Sequence, residues 1–194
     1  MAYEFQVTRR VEFSDTDMAG IMHFSNFFRF METAEHTFFR SLGHSVVLSR
    51  SGLPLCLPRV HASCDYLAPL FFEDEVLVHL LVQKKSARSL AYQFRFHRLN
   101  GDPGQEAARG KVVVACAERQ ADGSMRAAPW PEIIARQIQE APPQLLAGGH
   151  RSRLSPAAPA DRTNARSNLA AEQSVEPTGS AAGTSLVPAQ DTSR

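Results

Sequence analysis

From Phe24 onward the sequence specifies a helix that cannot stand alone in water. Phe27, Met31, Ala34, Phe38 and Leu42 recur at three- and four-residue steps, the spacing of one helix face. Phe28, Phe30 and Phe39 fall outside that stripe, so the helix needs apolar cover on several sides. Ser25 or Asn26 can cap its start, and Gly43 sits where a helix end takes a left-handed residue. Any fold open to this chain must wrap this element.

The rest of the first 140 residues reads as the wrapping. Residues 3–13 alternate, with Tyr3, Phe5, Val7, Val11 and Phe13 on one face and polar residues on the other, the period of a half-buried strand. Further strands are expected at 59–68, around Val76–Val82, around Leu90–Phe96, and over 108–119. Asn100-Gly101-Asp102-Pro103-Gly104 and Ala121-Asp122-Gly123 mark turns. A short helix is expected from Pro131, a favoured first helical position, to about Glu140. Strands joined by short turns pair antiparallel. The expectation is therefore an α+β domain with a curved antiparallel sheet around one long helix. Phe71, Phe72 and the aromatics of 90–96 leave an apolar surplus, which points to a homodimer or homotetramer.

The composition changes at residue 141. All aromatic residues lie in 1–140, whereas 141–194 holds none and carries 6 of the 12 prolines. Such a segment cannot bury enough apolar surface to offset chain entropy. It is expected to be a disordered tail whose deletion leaves folding and activity intact. The body carries 16 basic and 16 acidic residues and the tail 5 and 4, which argues against a nucleic-acid partner held by a basic surface. No apolar run approaches the about 18 residues of a membrane span, and the N-terminus has no secretory pattern. Cys56, Cys64 and Cys116 form no CxxC motif and cannot all pair internally, as expected of free thiols in a cytoplasmic protein without zinc. The histidines outside the helix approach, His36, His44, His61, His79, His97 and His150, show no metal-ligand spacing.

The chemistry concentrates in Ser14-Asp15-Thr16-Asp17-Met18-Ala19-Gly20, between the first strand and the helix. A helix start presents unpaired N–H groups and partial positive charge, which can hold a carbonyl oxygen as it becomes an oxyanion. A carboxylate facing the same spot can attack the carbonyl carbon or take a proton from water. The layout suits acyl transfer or hydrolysis without serine, cysteine or metal. The same pattern also describes a turn whose Asp side chains cap backbone amides.

Continued through Arg29-Phe30-Met31-Glu32-Thr33-Ala34, this stretch resembles the signature of the 4-hydroxybenzoyl-CoA thioesterase family, the hotdog-fold acyl-CoA thioesterases. The matching positions are Asp15, Asp17, Gly20, Asn26, Phe27, Glu32 and Ala34. Asp65-Tyr66-Leu67-Ala68-Pro69-Leu70 and Phe72-Glu73-Asp74-Glu75-Val76 supply a second match, and the resemblance spans about residues 3–135. It implies a hotdog fold, two protomers that join their sheets, sites at subunit interfaces, and a thioester substrate. Asp17 is the implied catalytic carboxylate, as nucleophile or general base, and the Phe24 backbone N–H the implied oxyanion donor. Asp15 is expected to shape the loop. Glu32 either orients water or substrate or makes a structural hydrogen bond.

Two departures stand out. Many relatives have Tyr-His where this chain has His23-Phe24, so His23 has either a part near the site or a structural one. Phe27 replaces the usual Tyr, and with Phe24 and Phe28 it lines an acyl pocket or belongs to the core. The phosphates of CoA call for basic groups at the rim. Lys84, Lys85 and Arg88 are the candidates, with Arg59 a weaker one; each also fits a solvated hairpin tip. The resulting expectation is an acyl-CoA thioesterase that releases free acid and CoA with no metal or redox cofactor. The alternatives are a thioesterase acting on acyl-carrier protein and a non-catalytic acyl-CoA-binding hotdog module.

Overall fold

The computed structural model describes residues 1–52, 54–101 and 105–148. Its centre is α1 (Asn26–Ser41), with Phe27, Phe30, Met31, Ala34, Phe38 and Phe39 all buried. Each large side chain among them contributes about 1.5–3 kcal/mol by leaving water. Gly43 takes a positive φ of 81° just after the helix, as expected of a C-terminal glycine. The start differs from expectation. Ser25 occupies the N-cap position but makes no side-chain cap, because its hydroxyl and the Asn26 amide are engaged by the preceding loop.

Around α1 lies an antiparallel sheet of β1 (Glu4–Arg10), β3 (Arg59–Tyr66), β4 (Glu75–Lys85), β5 (Ser89–Arg98) and β6 (Glu106–Ala115), in the order β1-β4-β5-β6-β3. Strand β2 (Leu55–Cys56) belongs to a separate small sheet with β7 (Ala117–Arg119) and β8 (Met125–Ala127). Helix α1 touches both edge strands, β1 and β3, as well as β4 and β6. A flat five-stranded sheet is nearly 20 Å wide at about 4.8 Å per strand, wider than a helix of about 10–12 Å, so the sheet must curl around the helix. This is the hotdog arrangement. Leu90, Tyr92, Phe94 and Phe96 of β5 are buried against the core, alternating with half-buried residues on the other face. Where α1 crosses β6 the sheet carries Gly110, and a methyl group there would overlap Met31 Sδ.

Three boundaries move. The first strand stops at Arg10, and the chain turns into a 3-10 turn at Phe13–Asp15, leaving Phe13 77% exposed instead of on the core face. The 108–119 strand is interrupted at Cys116: its N–H still bonds the Arg88 carbonyl in the register of β5, but its carbonyl accepts the Ala128 N–H, and from Ala117 the chain belongs to the small sheet. The helix expected over 131–140 is a single turn, α2 (Glu132–Ala135), with Pro131 at the extended N-cap position and not in the helix.

Residues 141–148, assigned to the tail by composition, continue past that boundary as α3 (Pro143–Leu146). Arg95 of β5 donates to the carbonyls of Leu145 and Leu146 at 2.6 and 2.9 Å, and α3 contacts β4. The remainder of the expected tail, 149–194, lies outside the described residues. No helix among the described residues is long and apolar enough to cross a membrane.

Candidate active site

The loop between β1 and α1 is tied down at almost every residue. Asp15 accepts the N–H of Glu12 on its side chain (3.0 Å), and its carbonyl accepts both the N–H of His23 (2.9 Å) and the side-chain amide of Asn26 (2.8 Å). Asn26 is itself buried at the first residue of α1, so the loop is clamped to the helix. On its far side the Met22 N–H bonds the Leu70 carbonyl at 2.7 Å, and Ile21 bridges Phe71. Buried Asp74 holds that second segment, accepting the Phe71 N–H (2.8 Å) and pairing with Arg98 (2.8 Å).

Within this frame Asp17 forms an Asx-type turn. Its Oδ1 accepts the N–H of Ala19 at 2.8 Å, and its backbone closes a tight loop on Gly20 and Ile21. Gly20 supplies the positive φ of 74° that the turn requires. One carboxylate oxygen is thereby anchored, and Oδ2 makes no bond among the described residues. Asp17 lines a cleft of about 450 Å³ with Ile21, Met22, Phe24, Phe27, Tyr66 and Leu67–Leu70. Apart from Asp17 and the Tyr66 hydroxyl, the lining side chains are apolar.

Phe24, just before the helix, lines the same cleft. The Phe24 N–H donates to no acceptor among the described residues, whereas the flanking groups are engaged. The His23 carbonyl accepts the Asn26 N–H (2.9 Å), and the Phe24 carbonyl accepts the Tyr66 hydroxyl (3.2 Å). Desolvation raises the Tyr66 pKa first, with the nearby Cys64 thiol adding to it; the phenol is therefore a protonated donor at neutral pH. Tyr66 and Phe27 meet edge-to-face at 5.1 Å, and Phe27 meets Phe96 at 5.3 Å. Phe27 thus belongs to the core and the cleft at once.

The remaining candidates are placed elsewhere. His23 does not line the cleft; its Nδ1 bonds the Ser25 hydroxyl at 2.8 Å and its ring lies 4.4 Å from that of Phe24. Glu32 faces Arg59 at 3.3 Å and His36 at 3.9 Å, outside the cleft. Arg59 is drawn to Glu35 at 2.7 Å, so it pins β3 to α1 instead of standing free at a rim. Glu35 is only 2% exposed. Burial pushes its carboxyl up to about 7, Arg59 pulls it down, and Glu32 pushes it up further.

Lys85 is also occupied. Its ammonium donates to the carbonyls of Ala135 and Ile138, and its backbone N–H bonds Glu140 at 2.9 Å. This capture of carbonyls is what ends α2 after one turn. Lys84 and Arg88 are exposed on the β4–β5 hairpin. Strand β4 separates them from the Leu70–Asp74 segment, which at about 3.3 Å per residue puts them roughly 30 Å from the cleft of their own chain.

The sequence pattern alone marks neither Tyr66 nor Glu35. Tyr66 lies within the Asp65–Leu70 match. Glu35 stands four residues after Met31 and four before Phe39, so a carboxylate in the apolar stripe was the available signal. Among the described residues no group of His, Cys, Asp and Glu could hold a metal ion.

Comparison with known proteins agrees with the fold. A family model described as the Thioesterase-like superfamily matches residues 11–138. A putative esterase of Aquifex aeolicus (strain VF5) is 38% identical over 91 residues, 46% of this chain and 70% of that protein. A 1,4-dihydroxy-2-naphthoyl-CoA hydrolase of Synechococcus sp. (strain RCC307) is 31% identical over 135 residues, 66% of this chain and 96% of that one. The crystal structure of a 1,4-dihydroxy-2-naphthoyl-CoA thioesterase from Synechocystis superposes with a TM-score of 0.62 at 27% identity, covering 68% of this chain and 93% of that one.

Proposed function

The chain belongs to the thioesterase-like superfamily and is a hotdog-fold thioester hydrolase, and from that premise we propose that it hydrolyses an aromatic acyl-CoA with Asp17 as the acting carboxylate. The observation that carries this reading is one shared cleft: Asp17, whose Oδ2 has no partner among the described residues, and Phe24, whose N–H has none either, line it together with Phe27 and Tyr66. A planar acyl group fits between edge-presented rings, and the similar hydrolase and thioesterase just described act on a bicyclic aromatic acyl-CoA.

The thioester carbonyl oxygen accepts the Phe24 N–H and gains negative charge as the carbonyl carbon is attacked. Asp17 Oδ2 either makes that attack, giving an anhydride that water then opens, or removes a proton from the attacking water. In both routes the C–S bond breaks; in the water route the water oxygen ends in the released acid, whereas in the anhydride route water adds at the Asp17 carbonyl, leaves its oxygen in Asp17 and sends an Asp17 oxygen out with the acid. The sulfur leaves as thiolate and takes a proton to become the CoA thiol. A single turnover in heavy-oxygen water separates the routes, because only the anhydride route puts label into Asp17.

The active assembly contains a second copy. Strand β3 is an open edge of the sheet, with Val60 and Tyr66 exposed on it, and a strand edge invites pairing. Two-fold antiparallel pairing along β3 sets the Arg59 end of one protomer beside the Tyr66 end of the other. The β4–β5 hairpin lies at the Arg59 end, so Lys84 and Arg88 of the partner subunit approach the cleft that their own chain cannot reach. There they meet the phosphates of CoA.

The test is thiol release from aromatic, short-chain and long-chain acyl-CoAs and from an acylated carrier protein, by the wild type and Asp17→Asn. Aromatic acyl-CoA is the preferred substrate, and Asp17→Asn loses about a hundredfold or more in kcat. Unchanged turnover by Asp17→Asn would sink the site assignment, and turnover confined to the carrier protein would sink the CoA substrate.

A further inference from the structure

We propose that Tyr66 is a positioning residue for hydrolysis, holding the Phe24 peptide so that its N–H meets the developing oxyanion. The inference rests on the reading of Asp17 and Phe24 given above and extends it to a residue on another element. The N–H in question lies in the His23–Phe24 peptide. The carbonyl of that peptide accepts the Asn26 N–H at 2.9 Å. A trans peptide is planar, with its N–H and C=O on opposite edges, so the Phe24 N–H points away from the helix start.

That bond fixes one side of Phe24. The other side is the Phe24–Ser25 peptide, and its carbonyl is not taken up by the helix ladder, since the Phe28 N–H goes to Ser25. It accepts the Tyr66 hydroxyl at 3.2 Å. The two peptide planes on either side of the Phe24 Cα are therefore held by different partners, Asn26 within the loop–helix junction and Tyr66 from the sheet. Fixing both planes leaves the Phe24 dihedrals little freedom. The N–H then keeps its direction without help from substrate, as a preorganised donor requires.

Tyr66 is suited to the task because its own place is set by the fold. It ends β3 and pairs with Ala108 of β6. Its ring rests edge-to-face on Phe27 of α1 at 5.1 Å. The hydroxyl thus carries the geometry of sheet and helix to a loop peptide, across the cleft that both line.

Tyr66→Phe removes only the hydroxyl and keeps the ring, the cleft volume and the contact with Phe27. The experiment measures kcat and KM on the best aromatic acyl-CoA for the wild type, Tyr66→Phe, Tyr66→Leu and Asp17→Asn, with thermal unfolding of each. The expected result for Tyr66→Phe is a kcat about tenfold lower, as for an interaction made in the transition state. KM stays within about twofold and the unfolding midpoint is unchanged. Tyr66→Leu shows the same kcat loss with a raised KM, because the ring wall is gone as well. An unchanged kcat in Tyr66→Phe, whatever its unfolding midpoint, overturns the proposal. So does a raised KM with kcat retained, which makes Tyr66 a substrate wall only. If these appear while Asp17→Asn is inactive, the positioning role alone falls; if Asp17→Asn is active, the underlying reading falls with it.

Discussion

Glu35 shows how one misplaced charge reports on the whole packing of the helix. It sits in the apolar stripe of α1, faces Arg59 across to β3 and Glu32 along the helix, and lies near the buried Tyr92 hydroxyl of β5. Its carboxyl titrates at about 7 in the folded protein, against an ordinary value of 4.5. With the pKa raised on folding, the folded state binds more protons than the unfolded chain between those values. The contribution is fully present below about pH 4.5 and is lost as pH rises through about 7. The shift is worth about 3 kcal/mol. Unfolding free energy measured from pH 5 to 8 is expected to fall with a component of that size in the wild type, and Glu35→Gln is expected to flatten it. Asn26 and Asp15 act in the opposite manner: the Asn26 side-chain amide, the Asp15 carbonyl and Asp15 Oδ2 each find a partner in the loop, and the cost of burial is met locally.

At the scale of elements, the crossing of α1 over β6 leaves no room for a side chain on the sheet. Gly110 makes it possible, because Met31 occupies the space where a side chain would begin. Gly110→Ala is expected to lower stability by about 1–3 kcal/mol in denaturant titration. Met31→Ala in the same chain should recover part of that loss, leaving the double variant better than the sum of the singles. Local patterns of this kind explain what could be read from the sequence. Helix α1 and strands β4 and β5 were legible because their periodicity depends only on neighbours along the chain, and the Asp17 loop because its turn residues and the following helix start are contiguous. The break at Cys116 was not, since it depends on the Ala128 N–H taking the Cys116 carbonyl and on Ala117 pairing with β2 and β8. Nor was the shortening of α2, which follows from Lys85 reaching carbonyls 50 and 53 residues away. The same capture removes Lys85 from the candidate phosphate ligands. Arg59 is likewise drawn away by Glu35, a pairing that no spacing in the sequence displays.

For the whole molecule, the composition boundary and the packing boundary are different places. Leu77, His79 and Leu81 face away from α1 on β4 and are nevertheless buried; α3 touches that strand, and Arg95 holds its carbonyls. Deleting 149–194 is expected to leave the unfolding midpoint unchanged. Deleting 141–194 strips the strap from β4 and is expected to cost about 2–3 kcal/mol, or roughly 5–10 °C in Tm, readable by calorimetry. With Asp17 in its proposed role, its placement also bears on the end of the catalytic cycle. Its free carboxylate oxygen sits in an otherwise apolar cleft, where the thioester arrives neutral at the carbonyl but the acid that replaces it is an anion. Two like charges about 4 Å apart repel by roughly 1–4 kcal/mol between bulk-water and surface dielectric values. On the proposed reading, the carboxylate that opens the thioester therefore also expels the acid. Product inhibition by the free aromatic acid should be weak in the wild type and about tenfold or more stronger in Asp17→Asn, so turnover continues while the acid accumulates around the enzyme.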